Sequence, residues 1–145
     1  MTALVTSWPF WAVLSAVFAA LTAILAKAGV EGVASDVATF LRTLVVVAVT
    51  AALLAASGQW RPVTAVPGRS AVFLVLSGLA TGASWLCYFR ALSLGDAARV
   101  APLDKLSVVF VAVFGVLLLG ERLSALNWLG IALIAAGAVL AAIKG

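Results

Sequence analysis

The stretch APLDKLSVVFVAVFGVLLLGE, residues 101–121, places an acid and a base, Asp104 and Lys105, at the head of a long apolar run. Whether that pair is ordinary depends on the solvent around the segment, and bulk composition decides the solvent. The chain has 145 residues, 66% of them hydrophobic and 10% charged, with a mean hydropathy of +1.26. A soluble domain carries roughly a quarter of its residues as charges to cover its surface. This chain has far too few, so the solvent around the run is a bilayer.

Working outward from 101–121, the same kind of run recurs. A bilayer core about 30 Å thick needs about 20 mostly apolar residues in a helix. Five segments meet that test, at about 8–26, 37–56, 71–92, 100–119 and 125–143. The connections KAGVEGVASD, SGQWRPVTAVPGR, SLGDAAR and GERLS are short and rich in turn formers. Strands are excluded because the runs are continuous and lone strands in lipid leave backbone groups unpaired. The N-terminal run lacks a basic leader and is longer than a secretory signal core, so it reads as a retained span. The fold class is all-α: a polytopic membrane protein of five transmembrane helices, organised as one domain over residues 1–145 with no convincing internal repeat.

An odd number of spans puts the two ends of the chain on opposite faces of the membrane. The N-terminal face receives Arg61, Arg69 and Arg122; the other receives Lys27, Arg42, Arg90, Arg99, Lys105 and Lys144. A plain count favours the second face in the cytoplasm. Arg42, Arg90 and Lys105 lie in or beside apolar runs, however, and without them the two faces balance at three each. Trp8, Trp11, Trp60 and Trp128 fall at helix ends on the N-terminal face, as an interfacial belt requires. Trp85 does not; it lies with Tyr88 in the half of the third helix near the other face, where it either packs or faces a cavity.

Enzyme chemistry finds no foothold. The chain contains no histidine for general-base work, no Cys/His set for a metal and no phosphate-cradling glycine loop, so no catalytic group, metal or cofactor is expected. The lone Cys87 reads as a packing residue. Nine Lys/Arg against five Asp/Glu are scattered, without a basic run interleaved with aromatics, so nucleic acid is not an expected partner.

With these segments placed, CYFRALSLGDAARVAPLDKLSVV (residues 87–109) followed by LLLGERLSALNWLGIALIAAGAVL (117–140) resembles the EamA-type domain of the drug/metabolite transporter superfamily. The likeness rests on a tyrosine-bearing helix ending in RALSLGDA, a VAPL helix start, a tight LGERLS turn and the last helix WLGIALIAAGAVL. It is closest to a short, single-domain bacterial branch. The resemblance implies one half of an inverted-repeat transporter fold, which two copies complete as an antiparallel homodimer of dual topology in the inner (plasma) membrane. Small metabolites would cross it by alternating access. Two rival functions remain, a non-transporting subunit of another membrane protein and a flippase for lipids or lipid-linked carriers. Two departures stand out: Asp104 and Lys105 follow VAPL where small or apolar residues are usual in the family, and the first helix offers only Ser15 and Thr22 where the related small multidrug pumps depend on a glutamate.

Two readings of Asp104 and Lys105 stand. In the first the helix begins at Pro102, which suits a first helical position, and Asp104 favours the helix dipole while Lys105 snorkels; residues 102–119 then span about 27 Å. In the second the helix begins at Ala97 with Asp96 as N-cap, Pro102 is interior, and both charges lie deeper. In either case neighbours on a helix point about 100° apart, so the two are expected to find partners elsewhere. Arg42, Arg90, Asp104 and Lys105 together sum to +2 (three bases less one acid). With Trp85 and Tyr88 they are the candidate substrate-binding residues, for an anionic or amphoteric small molecule; a structural Arg–Asp clamp is the alternative. Gly78 and Gly82, spaced as GxxxG, and Gly130 and Gly137 on the last helix are the expected helix-packing positions. Ser124 with Asn127 forms a candidate capping box at the start of that helix.

Overall fold

A computed structural model of the chain describes residues 7–58 and 65–143. The interfacial placement of Trp60, and the loop charges Arg61 and Lys144, lie outside the described residues. All regular structure among the described residues is helical: α1 Trp8–Val30, α2 Ser35–Ala56, α3 Gly68–Leu94, α4 Ala97–Asp104, α5 Ser107–Leu119 and α6 Ala125–Ala142. Among the described residues five helical stretches are long and apolar enough to cross a membrane, with Ala97–Leu119 counting as one.

The ends of these helices follow local chemistry. The first helix runs on past residue 26 because nothing in Lys27–Val30 stops it; the break comes where Gly32 takes φ +76°, a conformation a side chain would resist. α2 starts after an extended Ala34 that offers no capping side chain. Its polar residues satisfy themselves within the helix: Thr39 Oγ1 donates to the Ser35 carbonyl (2.8 Å) and Thr43 Oγ1 to the Thr39 carbonyl (2.7 Å). The last helix carries the capping box its sequence announces. Asn127 N–H donates to Ser124 Oγ (3.2 Å), and Ser124 N–H donates to Asn127 Oδ1 (2.9 Å).

The fourth span corrects the first reading of Pro102. Helix α4 begins at Ala97, after an extended Asp96 whose side chain makes no capping hydrogen bond, and Pro102 is interior. Having no N–H, Pro102 cannot donate to the Ala98 carbonyl, and the helix soon leaves α geometry. Lys105 and Leu106 N–H groups bond three residues back, to Pro102 and Leu103 (both 3.0 Å). Val108 and Val109 repeat the pattern onto Lys105 and Leu106, giving a tightened turn of 3₁₀ type inside the span. α5 then ends at Gly120 with φ +70°; the Gly120 and Glu121 N–H groups both point at the Gly115 carbonyl.

The contacts divide the chain into two compact units, residues 1–27 with 94–145 and residues 28–93. In the first, α6 is the element against which both α4 and α5 pack. Two cations tie this unit together. Lys27 Nζ donates to the Gly95 carbonyl (3.1 Å), and Arg99 donates through Nε (3.0 Å) and a terminal nitrogen (2.8 Å) to the Ala142 carbonyl that ends α6. Both were counted as loop charges by sequence; the fold uses them as donors to backbone oxygens. Its buried residues are small: Ala23 and Ala26 on α1, Ala112 and Gly115 on α5, Ala138 on α6. In the second unit α2 and α3 meet through side chains, with Phe89 and Leu92 of α3 and Ser35 and Thr39 of α2 buried.

Candidate functional site

In the second unit the decisive contact joins α2 to α3. Arg42 is the eighth residue of α2, about 10 Å along the axis from Ser35. It shares a face with Ser35 and Thr39, four and three residues apart in turn. Trp85 and Phe89, spaced by four, lie one above the other on α3. The Arg42 guanidinium carbon sits 4.0 Å from the centre of the Trp85 ring and 5.6 Å from that of Phe89. Tyr88, next to Phe89, is half-buried like Trp85; Arg90 is exposed.

The energetics are unbalanced. An arginine in the middle of a membrane helix costs about 2.5–3.5 kcal/mol on insertion scales. A cation–π contact returns about 0.5–1 kcal/mol when exposed and about 2 when desolvated. The guanidinium also presents five N–H donors in its plane, and its face alone is used by the rings. Among the described residues no acceptor hydrogen-bonds to it. The neighbouring hydroxyls turn their protons elsewhere: Thr39 and Thr43 donate to helix carbonyls, and Ser35 to the Asp36 carboxylate (3.3 Å).

In the first unit Asp104 and Lys105 pair with each other, Lys105 Nζ to Asp104 Oδ2 at 3.2 Å, with side chains 38% and 55% exposed. This corrects the expectation that adjacent residues on a helix seek separate partners. Lys105 sits where the helix leaves α geometry, and its long flexible side chain reaches the neighbouring carboxylate. Of the six candidate residues, Arg42, Trp85, Tyr88 and Arg90 thus belong to the second unit, and Asp104 and Lys105 to the first. Contact geometry joins Arg42 to Trp85 and Asp104 to Lys105. Asp104 gives its carboxylate to its neighbour Lys105.

Sequence reasoning missed Phe89. Its signal was available, because Phe89 is the i+4 partner of Trp85 and therefore shares its face. The small-residue pairs Ala23/Ala26 and Ala112/Gly115 were also overlooked in favour of Gly78, Gly82, Gly130 and Gly137. A Cβ added at any of those four glycines would meet nothing within 4 Å among the described residues, so none of these exploits the room they leave.

Comparison with known proteins gives a consistent picture. A family model described as the EamA-like transporter family matches residues 6–143. The chain is 66% identical over 137 residues to a protein of a Sinorhizobium species whose description reads "Uncharacterized transporter in cobO 3'region". The match covers 94% of this chain and 97% of that protein. No solved structure matches significantly.

Proposed function

Starting from the fact that the chain belongs to the EamA-like transporter family, a family of multi-pass membrane proteins, we propose that it carries small metabolites across the cell's inner (plasma) membrane as an antiparallel homodimer. The observation that carries the reading is the match of a transporter family model to residues 6–143, in a chain with five membrane-crossing helices. A relative covered over 97% of its own length is named as a transporter too, which supports a five-helix unit as the working repeat.

An odd number of spans makes two copies in opposite orientations an inverted repeat, the arrangement in which rocking of one half against the other exchanges access to a midplane site. The balance of charges at the span ends, Arg61, Arg69 and Arg122 against Lys27, Arg99 and Lys144, supports insertion in both senses. The interrupted span supports movement, since a tightened turn inside a membrane helix is a place where backbone geometry has more than one solution. Candidate polar groups are Arg42, Trp85, Tyr88 and Arg90 in the second unit and, taken separately, Asp104 and Lys105 in the first; the positive charge of the second unit's set suits anionic or amphoteric metabolites. Glycines 78, 82, 130 and 137, open in the single chain, are positions where the second copy approaches closely.

The test is topology. A reporter joined after Gly145 is assayed on both sides of the membrane. Comparable signal on the two sides supports the antiparallel pair; signal on one side alone removes it and assigns the chain to a complex with a different membrane protein.

A further inference from the structure

We propose that Arg42, presented on the faces of Trp85 and Phe89, is an oxyanion-binding site, and that the transported molecule carries a carboxylate or phosphate. The inference deepens the transporter reading and rests on it for the word "transported". The site itself rests on geometry within one compact unit. A guanidinium carbon 4.0 Å from an indole centre and 5.6 Å from a phenyl centre has its face engaged by the rings. Its donors lie in the plane, at the edges, in the fork that matches two oxygens of a carboxylate or phosphate. None is used by an acceptor among the described residues.

Beyond a favourable electrostatic interaction with Tyr88, the unit has little to neutralise this charge. Residues 28–93 contain four arginines against Glu31 and Asp36, an excess of two (four less two). Asp36 is six residues from Arg42, so it projects from a different face of α2, and it accepts from the Ser35 hydroxyl. α3 contributes no acid at all. A cation held this far into a membrane helix, with its donors open, calls for an anion from outside the unit. Lipid headgroup phosphate and a soluble oxyanion share the required chemistry.

The experiment uses the purified full chain in a phosphate-free maltoside detergent. Benzoate, inorganic phosphate and short-chain phosphatidylglycerol are titrated separately against chloride at fixed ionic strength, and binding is read from tryptophan fluorescence and the unfolding midpoint. We expect saturable binding of benzoate or phosphate, weakened at least tenfold by Arg42→Gln. Arg42→Lys keeps the charge and the helix but not the fork, and is expected to lose most of the same tenfold. Should Arg42→Gln fail to fold, Arg42→Lys decides alone. Responses equal to chloride, or unchanged by both variants, overturn the site. Saturation by the lipid alone overturns the assignment to a soluble substrate. Binding is measured without flux. Saturable binding with no movement of that anion in proteoliposomes therefore fails the transporter reading and leaves the site standing, while flux without oxyanion binding does the reverse.

Discussion

Asp104 and Lys105 show how little a charge costs when its partner is adjacent and water is near. Their 3.2 Å contact is largely exposed, and such pairs contribute about 0–1 kcal/mol. Asp104→Asn is therefore expected to lower thermal stability by less than about 1 kcal/mol, measured by unfolding in detergent; a larger loss means that Asp104 holds something besides Lys105. If transport fails in that variant while the unfolding midpoint stands, the carboxylate acts on substrate. Arg42 is the contrasting case. Its contact joins two helices, is more buried, and leaves its donors without a hydrogen-bond acceptor among the described residues. Neither role could be assigned from residue type, because both arginine and aspartate sat in apolar runs with no charged neighbour at helical spacing. What separated them was the turn at Lys105 and the approach of α3 to α2.

The helix ends are where local chemistry and packing can be told apart. The Ser124–Asn127 box was legible from two residues at a fixed spacing, because a cap is made within one turn. Arg99 acts at longer range, closing the end of α6 from the first turn of α4 with two charged donors on one carbonyl. Arg99→Leu is expected to remove roughly 1.5 kcal/mol or more, raising amide exchange in the last turn of α6 about tenfold while leaving its capped N-terminus unchanged. Glycines divide in the same way. Gly120 holds φ +70°, so Gly120→Ala is expected to cost about 1–2 kcal/mol in thermal unfolding. A Cβ at Gly115 would lie 2.6 Å from Glu121 Oε2, the far end of a flexible side chain. Gly115→Ala is therefore expected to be the milder of the two, since the carboxylate swings away.

For the whole molecule, the unused glycines carry the most information. Gly78 and Gly82 are spaced for close helix approach, yet a Cβ there meets none of the described residues. If they serve the second copy, Gly82→Leu leaves helix content and single-chain unfolding unchanged and weakens self-association at least tenfold, about 1.4 kcal/mol, read by energy transfer between labelled copies in proteoliposomes. Unchanged association places the dimer contact elsewhere, with Gly130 and Gly137 on α6 the next positions to fill.

Composition and periodicity by themselves determined the solvent, the helical class and the five spans, and separate sequence motifs carried the family likeness. Each follows from summed hydropathy over about 20 residues or from motifs confined to one turn, and the termini moved by only a few residues in the structure. Tertiary structure decided the rest. Pro102 sat equally well at a helix start or inside one until the helix was seen to begin at Ala97. Lys27 and Arg99 looked like loop charges until their carbonyl partners came within reach across 68 and 43 residues of chain. Arg42 acquired Trp85 and Phe89 across a similar gap. The physical reason is common to all three. A helix end or a side-chain charge in a membrane protein takes the partner that three-dimensional approach supplies, and an apolar sequence carries almost no long-range signal of which approach that will be.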